Sequence, residues 1–487
     1  MNKEELRYVK NDSLITRELE ENAIWFNGNP TAIEYFFKKT YRELNKEDKT
    51  KVYDTMRGFW FRVGGDVPRV HSGLPALISK SWAKIIKAKT INYRVNDSDD
   101  DTNELKEILD DNNFINLLEK GIVTESWGGY FCYKVSIDPD VSSYPIIELI
   151  DPRNIDVVLN RGRVSQIIVN IYDVTENGKR KVQEIFTKKD KGVKITYRTF
   201  LLKKDTEEWQ EEPNDPTLED YDSNYDMIFL KNNTSFNSRF PNSGLGESDY
   251  TNNQSLFQML DAIISNTELD IDNAKAVKFV SEAITKVVEN TDIGVQEKNV
   301  YDKNETVVIL SNTIMQDDSF DVRKLISILQ PLVRVADFNA TAKEITGRIL
   351  ANSSISPASI GLPGFDSIDS AANSQRARKE ITITARNEKV SRWSQFLPKF
   401  FIELLHIRDE VMKKPEKDYD VKVEFDSYET PYFEELVKTV AEAVQGGVMS
   451  RKQAVEKLYP DLTEEEVKQT VLDIKGETLT PFIASDL

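Results

Sequence analysis

The chain has 487 residues, of which 39% are apolar and 30% are charged, and its formal net charge is −18. This length predicts about three domain-sized units, and the apolar content lies below the roughly 45–50% of ordinary globular domains, which favours a molecule with a large surface. Because counterion release requires clustered lysine and arginine, the acidic balance excludes tight non-specific binding to nucleic acid.

The cysteine content and the hydropathy indicate the cellular compartment in which the chain is expected. Cys132 is the only cysteine in the sequence, so no intrachain disulfide can form and a reducing compartment is expected. It lies in a predicted strand, where a buried, inert thiol is expected. The first residues are charged, so no signal peptide is expected. No stretch approaches the roughly 18 consecutive apolar residues of a membrane-spanning helix, so no such helix is expected.

The first 95 residues predict mainly amphipathic helices. Residues 1–60 have helical patterning that is interrupted at Asn27–Pro30, a strong turn signal. Apolar residues at three- and four-residue spacing predict a helix from Leu74 to about Lys89. The alternation in Ile91–Val95 predicts a short strand.

The acidic run Asn96–Glu104 has the composition of a calcium loop but not its spacing. A loop starting at Asp97 would need glycine at its sixth position and glutamate at its twelfth, where the sequence has Thr102 and Ile108. We therefore predict a solvated turn in which Asp101 or Thr102 caps the following helix.

From Gly129 to about Leu230 the pattern changes to short runs of β-branched and aromatic residues separated by turn signals. Asn177-Gly178 is a strong signal for a two-residue hairpin. These features predict an antiparallel meander set between helical regions. The predicted strands are Tyr133–Ile137, Pro145–Ile150, Ile155–Leu159, Val164–Tyr172, Val182–Phe186, Ile195–Leu202 and Met227–Leu230.

Two predicted helices flank a mixed insert in the next part of the chain. Apolar periodicity predicts helices from about Thr251 to Lys278 and from Val335 to Ala351. Short mixed elements are predicted between them, at 279–333. The Gly244-x-Gly246 loop before the first helix is a weak match to a dinucleotide fingerprint, because the third glycine and the strand–helix crossover are missing.

A loop and a long helix come after the second of these helices. The loop at 352–369 is dense in serine, glycine and proline, and loops of this length are usually functional or disordered. The long helix is predicted from about Ser370 to His406. The rest of the chain predicts a strand at Val421–Phe425 and helices within 431–475.

Catalytic and metal-binding motifs are absent from the sequence. It has only two histidines, His71 and His406, which excludes histidine-rich metal sites and makes a Ser-His-Asp triad hard to assemble. Ser81 and Lys84 match the Ser-x-x-Lys of acyl-transfer enzymes, but the companion motifs are missing and we interpret the match as chance. No phosphate-binding loop occurs. We predict no catalytic, cofactor or metal site, and no enzyme activity.

Four segments in order resemble the portal protein, or head–tail connector, of tailed double-stranded DNA bacteriophages of the Gram-positive-phage (siphovirus) type. Each segment is unspecific by itself, because that family has no catalytic signature, and the order is the specific part. Together they cover most of residues 70–475. The segments are Leu105–Leu118 with Trp127–Val135 and Ile150–Ile155, then Gly246–Ser265, then the stretch 338–406 including Ser370–Glu380, and finally Ala443–Val467.

The resemblance implies an α+β, mainly helical portal fold with an antiparallel β-rich wing, a helical stem, a small mixed clip and a helical crown. The implied boundaries are 1–30 for an N-terminal helical arm, 31–250 for the wing, 251–278 for the first stem helix, 279–333 for the clip, 334–351 for the second stem helix, 352–369 for a tunnel loop, 370–430 for the long wing helix and the following strand, and 431–487 for the crown and C-terminal tail.

The resemblance also assigns expected roles to residues of the channel wall. Acidic walls repel phosphates and let DNA slide, and isolated basic residues would offset that repulsion locally. For each of these residues intersubunit packing or plain solvent exposure is an equal alternative, and the loop has the alternative of a surface connector. The tunnel-loop candidates facing DNA are Ile355, Pro357, Ile360, Leu362, Pro363 and Phe365. The channel-lining candidates are Asp261, Glu268, Asp270, Asp272, Lys343 and Arg348.

The implied function is a ring-shaped channel, usually of twelve subunits, at one capsid vertex in the virion. Double-stranded DNA would pass through it without sequence specificity during packaging by the terminase large subunit and later during ejection. Further implied partners are head–tail adaptor proteins and the major capsid and scaffolding proteins, with a role in nucleating capsid assembly, in the cytoplasm of the bacterial host. No cofactor and no membrane partner are expected.

Two other classes of function remain open at the level of sequence. One is another virion or prophage protein, such as a head–tail or baseplate adaptor, with the same helix and strand patterning. The other, less favoured, is a hydrolase with an unrecognised site. A ring with a central hole would distinguish the portal from both.

Overall fold

The computed structural model describes most of the chain. The described residues are 6–8, 13–47, 59–61, 69–87, 91–175, 178–202, 209–216, 218–274, 277–281, 286–291, 294–299, 307–310, 326–329, 334–362, 372–415, 417–426, 433–459 and 464–477. Two compact units are present, Met1–Lys87 with Ile91–Glu424, and Ala88–Thr90 with Phe425–Leu487.

The helices described in the first unit follow the apolar periodicity of the sequence. Among the described residues, short 3₁₀ turns lie at Phe59–Phe61, Pro152–Asn154 and Pro357–Ile360. The helices are α1 (Ser13–Asn27), α2 (Pro30–Glu47), α3 (Leu74–Lys87), α4 (Asp99–Asp111), α5 (Phe114–Gly128), α6 (Gln254–Asn273), α7 (Val335–Asn352) and α8 (Ala372–Val411).

The strands form several sheets, of which the largest has seven strands. Its strands are β1 (Leu6–Tyr8), β5 (Ile155–Asn160), β6 (Arg163–Thr175), β7 (Gly178–Lys188), β8 (Val193–Leu202), β9 (Trp209–Glu212) and β10 (Tyr221–Ser223). Their order in the sheet is β1-β5-β6-β7-β8-β10, with β9 also pairing with β8.

Five further strands are β2 (Ile91–Val95), β3 (Tyr130–Ser136), β4 (Ile146–Ile150), β11 (Ile228–Asn232) and β17 (Val421–Phe425). A three-stranded sheet of order β11-β3-β4 forms the second main layer, and a two-stranded sheet pairs β2 with β17.

The insert between α6 and α7 contributes two small sheets. One has the order β15-β12-β16, in which β12 pairs in parallel with β15 and antiparallel with β16. The other is the antiparallel hairpin β13–β14. The strands are β12 (Val277–Ser281), β13 (Lys286–Thr291), β14 (Gly294–Asn299), β15 (Val307–Leu310) and β16 (Ile326–Leu329).

The core lies where α8 packs on the three-stranded sheet. The ring of Phe400 on α8 lies 5.3 Å from that of Tyr133 on β3 and 5.0 Å from that of Phe229 on β11. Successive side chains of a strand point to opposite faces, and the next residue, Lys134, forms an ion pair of 2.8 Å with Glu184 on β7 of the large sheet. The three-stranded sheet is therefore sandwiched between α8 and the seven-stranded sheet.

The structure confirms the α+β class and most predicted elements of this part. The meander is present, and β6 and β7 form the predicted hairpin, with Thr175 opposite Gly178. Cys132 is buried in β3, as expected. The prediction of helix for all of 1–60 is wrong at Leu6–Tyr8, because these residues pair with Val158–Asn160 of β5 and a distant partner overrides local helical patterning.

Two helix boundaries differ from the prediction. The helix predicted at 251–278 is shorter, since α6 ends at Asn273 and Val277 already pairs with β16. The long helix predicted to end at His406 continues to Val411. The imidazole of His406 stacks on the ring of Tyr225 at 5.3 Å, which agrees with an ordinary packing role.

Most of the acidic run before α4 is solvated, as predicted, since Asp97, Asp99 and Asp100 are exposed, but Asp101 is buried against a distant part of the chain. The cap of α4 is Ser98, whose side chain accepts from the backbone N–H of Asp101, so the prediction of Asp101 or Thr102 as the cap is wrong. Asp101 is buried and lies 2.6 Å from Nζ of Lys417, and Asp97 pairs with Lys422 at 2.9 Å. The hydrogen bond from Lys417 lowers the pKa of Asp101.

We expect the replacement Asp101→Asn to remove a pH-dependent part of the stability. A carboxyl with a lowered folded-state pKa stabilises the fold above its ordinary value of 3.8, and this contribution is lost as the pH falls through the folded-state value. The variant should be less stable at pH 7 and should show a flatter decline below about pH 4. Denaturant unfolding between pH 7 and pH 3 measures this.

Asp99→Asn is the matched control for that substitution, because the Asp99 side chain is 92% exposed in the same helical turn. It should leave the pH profile close to that of the unchanged chain. Parallel curves for Asp101→Asn and the unchanged chain would contradict the assigned pairing with Lys417.

Two glycines allow a close backbone crossing beside the core. Gly129 has φ +81°, and a Cβ there would lie 2.7 Å from the carbonyl oxygen of Gly246. A Cβ on Gly246 would lie 2.4 Å from the carbonyl oxygen of Gly129. Nearby, the hydroxyl of Ser248 donates to the carbonyl of Trp127 at 2.7 Å. Gly246, part of the weak dinucleotide match, thus serves packing between two chain segments.

We expect Gly129→Ala to lower the free energy of unfolding by about 2–5 kcal/mol. Left-handed strain contributes roughly 1–2 kcal/mol, and forced separation of the crossing backbones adds roughly 1–3 kcal/mol. Gly162→Ala is the control, because Gly162 has φ +76° but nothing lies within 4 Å of its added Cβ. Equal losses of stability in the two variants, measured by denaturant unfolding, would show that the crossing is not tightly packed.

The second unit contains three described helices, α9 (Phe433–Gln445), α10 (Arg451–Leu458) and α11 (Glu464–Glu477). The helix α10 begins at a capping box in which Ser450 and Gln453 satisfy each other's backbone N–H groups. These helices agree with the helical patterning predicted for 431–475. The strand predicted at Val421–Phe425 is β17.

Candidate functional site

The candidate site is built from α6, α7 and the chain that follows α7. The two helices pack against each other along their lengths, and β12–β16 are inserted between them in sequence. After α7 the chain continues through a 3₁₀ turn towards α8. The helix–insert–helix–loop–helix order predicted from periodicity is therefore present.

Asn253 closes one end of the α6–α7 pair. Its side chain is fully buried and donates to the hydroxyl of Ser353 at 2.9 Å, and its Oδ1 accepts from Nδ2 of Asn352 at 3.0 Å. The Ser353 hydroxyl in turn donates to the carbonyl of Asp249 at 3.1 Å. Because buried amides need such partners, this cluster fixes the start of α6 against the end of α7.

An ion pair closes the opposite end. Nη2 of Arg334 lies 3.1 Å from Oδ1 of Asp270, and the guanidinium lies 5.3 Å from the ring centroid of Phe338. The hydrogen bond from Arg334 lowers the pKa of the Asp270 carboxyl. Asp270 is thus a partner of Arg334, which limits its availability as a charge on a channel wall.

Asp261 lies in the middle of α6 and is fully buried, so its prediction as a channel-lining residue is wrong. Its carboxylate accepts from Nε1 of Trp60 at 3.1 Å, from the backbone N–H of Ser72 at 2.8 Å and from Nδ1 of His71 at 2.8 Å. A carboxylate surrounded by donors in this way positions the segment around Ser72 against α6.

The other channel-lining candidates differ in exposure. Glu268 and Lys343 are exposed on α6 and α7. Arg348 is exposed and lies 2.6 Å from Glu344, one helical turn earlier. The side chain of Asp272 lies outside the described residues. Glu268, Lys343 and Arg348 therefore remain predictions with side chains on the surface of the subunit.

The segment after α7 has a fixed beginning. Ile355 is buried, so its prediction as a DNA-facing residue is wrong. Its backbone N–H donates to the carbonyl of Leu350 at 2.9 Å, and the N–H of Ser356 donates to the hydroxyl of Thr382 on α8 at 2.7 Å. These contacts anchor the segment to α7 and α8 before it enters the 3₁₀ turn.

The remaining loop candidates lie at and beyond that turn. Pro357 and Ile360 are half-buried in the turn, which ends at Gly361 with φ +64°. Leu362 is half-buried as well. Pro363 and Phe365 lie outside the described residues. The part of the loop that lies beyond the buried anchor of Ile355 and Ser356 therefore begins at the 3₁₀ turn.

A buried ionic cluster behind the site was missed by the sequence analysis. Nζ of Lys231 on β11 lies 3.0 Å from Oε2 of Glu125 on α5, and the other oxygen of Glu125 accepts from Nε1 of Trp393 at 2.9 Å. Nζ of Lys389 on α8 lies 3.0 Å from Asp249 and donates to Asn233. The sequence signal was Lys231, which directly follows the apolar run Met227–Leu230 of a predicted strand.

This ionic cluster connects α8 to the chain that enters α6. Burial lowers the pKa of the Lys231 amine, although Glu125 opposes that effect. Asp249 contacts Lys389 directly and Ser353 through its carbonyl. One set of buried polar contacts therefore joins the long helix, the start of α6 and the end of α7.

The described part of the chain has no group of three or more His, Cys, Asp or Glu that could hold a metal ion. Among its described helices none is long and apolar enough to cross a membrane.

A family model covers most of the chain. Residues 68–478 match the family described as "Phage portal protein, SPP1 Gp6-like". No curated protein sequence matches the chain significantly.

Solved structures give distant likenesses. A structure described as "Virion of native gene transfer agent (GTA) particle" has 12% identity and a TM-score of 0.45, covering 79% of this chain and 89% of the other. Another, "Neck of native GTA particle computed with C12 symmetry", has 12% identity and a TM-score of 0.45, covering 80% of this chain and 90% of the other.

Proposed function

The chain belongs to the SPP1 Gp6-like family of phage portal proteins, and from this premise we propose that it forms a ring-shaped channel at one vertex of a phage capsid. Double-stranded DNA would enter through the ring during packaging and leave through it during ejection. The protein would act as a structural conduit and head–tail connector, with no bond made or broken by its side chains.

The family match over residues 68–478 is the observation that carries this proposal. The order of α6, insert, α7, loop and α8 agrees with the implied stem, clip, second stem, tunnel loop and long wing helix. In the proposed assignment α9, α10 and α11 belong to the crown. The seven-stranded and three-stranded sheets belong to the wing.

Electrostatics support passage of DNA without strong binding. A net charge of −18 opposes adsorption of a polyanion, and tight binding would need a basic stripe to release counterions. Asp261 is withdrawn from the proposed wall because it is buried, and Glu268, Asp270, Asp272, Lys343 and Arg348 remain its proposed charges. A wall that carries both carboxylates and isolated basic residues would leave the duplex weakly held.

We propose a ring of twelve subunits in the virion, assembled in the cytoplasm of the bacterial host. Its proposed partners are the terminase large subunit during packaging, head–tail adaptor proteins afterwards, and the major capsid and scaffolding proteins during assembly. A role as nucleator of capsid assembly is part of the same proposal.

Electron microscopy of the purified chain tests the proposal. We expect ring particles with a central hole wide enough for a DNA duplex and roughly twelvefold symmetry. A monomer, or a particle without a channel at concentrations that give stable assemblies, would overturn the portal assignment. Rings of another subunit number would overturn the twelvefold proposal and leave the channel in place.

A further inference from the structure

The sequence contains two long stretches that each carry charge of a single sign. From Val67 to Asn96 it has six lysines and arginines and no carboxylate, although the net charge of the chain is −18. From Asp205 to Asp222 it has nine carboxylates and neither lysine nor arginine. Where surfaces of opposite sign lie on one molecule, they favour contact between separate copies of it.

The basic stretch forms a stripe on the outer face of α3. Lys80 and Lys84 are exposed one helical turn apart, and Leu77, which is 38% exposed, precedes them on the same face. Within the described residues neither lysine has a hydrogen-bond or ion-pair partner. The next lysine of the helix, Lys87, lies 2.8 Å from Glu119 of α5. We call Leu77, Lys80 and Lys84 the α3 stripe.

The helices α5 and α8, which pack beside α3, leave the α3 stripe positive. The described charged side chains of α8 that contact α3 are Arg386 and Lys389, and both are basic. The exposed charges of α5 on this side are Glu119, whose partner is Lys87, and Lys120. Neither helix therefore supplies a free carboxylate to the two lysines of the stripe.

The third neighbour, α1, directs its carboxylates to other partners. Glu18 lies 3.3 Å from Arg239. Glu20 interacts electrostatically with Arg153, and Glu21 accepts from the indole N–H of a tryptophan in the same helix at 3.3 Å. The α3 stripe therefore keeps its positive charge within the described part of the subunit.

The acidic stretch forms the outer edge of the seven-stranded sheet. Both β9 and β10 pair with β8, and no described strand pairs with their other side. The carboxylates of these strands and of the loop between them are exposed. Within the described residues Glu211, Glu212 and Glu219 have no ion-pair partner. We call β9, β10 and their connecting loop, residues 209–223, the acidic edge.

The basic side chains near the acidic edge are too few to neutralise it. In the described part of β8, β9, β10 and their loops, six carboxylates accompany two basic residues, Lys194 and Arg198. Lys189, in the turn before β8, lies 2.6 Å from Asp222. Lys181 on β7 lies over two aromatic rings, at 4.8 Å and 5.2 Å from their centroids. The edge therefore keeps a negative balance.

The α3 stripe and the acidic edge belong to opposite ends of the seven-stranded sheet. The helix α3 packs on α1 and α5, and a Cβ on Gly128 at the end of α5 would lie 2.6 Å from Pro152, just before β5. The strands β6, β7 and β8 separate β5 from β9, a width of roughly 19 Å at about 4.8 Å per strand. Both surfaces are therefore available to separate neighbours.

We propose, resting on the proposed ring, that adjacent subunits contact each other by docking the α3 stripe of one on the acidic edge of the next. Repeating such a contact between two different surfaces around an axis closes a ring. Complementary charge orients the approach and fixes the register, against the repulsion between copies that each carry −18. Exposed Leu77 on the stripe and Trp209 and Tyr221 on the edge supply apolar contact area.

Two sets of substitutions reverse the charge of each surface separately. The stripe-reversed variant carries Lys80→Glu and Lys84→Glu, and the edge-reversed variant carries Glu211→Lys, Glu212→Lys and Glu219→Lys. We expect each variant alone to lose rings, with association weakened at least about tenfold, because like charges then meet at every contact. Electron microscopy counts the rings and sedimentation velocity measures the association.

The control is a variant with Lys106→Glu and Lys399→Glu, two exposed lysines outside both surfaces. It changes the net charge by the same amount as the stripe-reversed variant and should form rings like the unchanged chain. This control separates local contact from general repulsion. The edge-reversed variant adds a second check, because its smaller net charge would by itself favour association.

Mixing the two reversed variants gives the test that is specific to copies of this chain. In an equimolar mixture a reversed stripe meets a reversed edge at one contact, and an unchanged stripe meets an unchanged edge at the next. Every contact is then complementary again. We expect rings of alternating subunits, which native mass spectrometry identifies by equal numbers of the two variants. A chain that carries both sets of substitutions should form rings by itself.

Four results would overturn the docking proposal. Rings formed by either reversed variant as readily as by the unchanged chain would do so and leave the portal assignment in place. So would a mixture that fails to assemble although both variants unfold in urea at the unchanged midpoint. Normal rings with loss of packaged DNA in the stripe-reversed variant would assign the α3 stripe to phosphate groups. An unchanged chain that remains a monomer would overturn both this proposal and the proposed function.

Discussion

Replacing Lys231 with methionine is expected to lower the free energy of unfolding by about 3–5 kcal/mol, the usual cost of leaving one partner of a buried ion pair uncompensated. The side chains of Lys231 and Glu125 are 4% and 1% exposed. Without the amine, the carboxylate of Glu125 keeps only the Nε1–H of Trp393 as a described donor. The amine also lies 4.6 Å from the ring centroid of Trp393, so its loss removes a cation–π contact as well.

The stability measurement is urea unfolding of the full chain at pH 7, followed by tryptophan fluorescence. Arg348→Met is the control, because Arg348 and Glu344 form an ion pair in which both side chains are more than half exposed. Such a pair contributes about 0–1 kcal/mol. Adding Glu125→Leu to Lys231→Met should restore much of the loss, since an apolar replacement of a whole buried pair is often neutral.

An unchanged unfolding midpoint for Lys231→Met would contradict the role of this ionic cluster. A double variant less stable than the single one would contradict the explanation that the buried carboxylate carries the cost. The position of the ionic cluster between α8 and the α6–α7 pair determines how its loss would affect assembly. Lys389, on α8, contacts Asp249, and the carbonyl of Asp249 accepts from Ser353 at the end of α7. Loosening the ionic cluster is therefore expected to loosen the base of the α6–α7 pair.

Local sequence patterns were sufficient to predict the helices and strands that bury one face. The stripes of α3, α6 and α7 follow from apolar spacing, and the β6–β7 hairpin follows from Asn177-Gly178. The order of helix, insert, helix and loop needed no knowledge of tertiary contacts. Several of the predictions that failed involve partners far away in the sequence.

Asp261 shows why site residues were harder to predict than elements. The acidic character of α6 is visible in the sequence, but the burial of Asp261 depends on Trp60 and His71, which lie about 190 to 200 residues away. The burial of Asp101 likewise depends on a distant partner, because Lys417 lies 316 residues later in the sequence. Ile355 was misjudged for a simpler reason: a loop rich in Ser, Gly and Pro was predicted to be exposed throughout, whereas its first residues continue the packing of α7.

The positions of the channel-wall residues depend on more than one subunit. Exposure on a single chain identifies Glu268 and Lys343 as surface residues. Whether an exposed side chain faces a channel or a neighbouring subunit is decided by assembly, and one chain's sequence does not contain that geometry. The same holds for the proposed partners of the crown and wing.

Removing the segment that follows the anchored Ile355 is expected to abolish DNA packaging while rings still form. The proposed tunnel-loop residues that remain after the correction are Pro357, Ile360, Leu362, Pro363 and Phe365. We therefore choose replacement of residues 358–365 with a single Gly-Ser pair. This change keeps Ile355 in the core, the bond from Ser356 to Thr382 and the α6–α7 pair. Ring assembly should be preserved, because the altered residues lie outside those contacts.

The control for this deletion is a variant of equal length in which residues 358–365 are replaced by eight glycines and serines. Packaging is measured as nuclease-protected DNA per assembled particle, and ring formation is measured by electron microscopy. If apolar contact with DNA is the role of the loop, both variants should lose packaging, because glycine and serine offer little apolar surface. If only the length of the loop matters, the equal-length variant should package normally.

The outcome that contradicts the tunnel-loop assignment is normal packaging by the shortened variant. Loss of rings in the shortened variant would instead place residues 358–365 in the assembly interface. The substitution Ile355→Ala separates these cases from simple destabilisation, because it should cost about 2–5 kcal/mol through a core cavity while leaving the exposed part of the loop intact. Particles that assemble with Ile355→Ala at permissive temperature should therefore still package DNA.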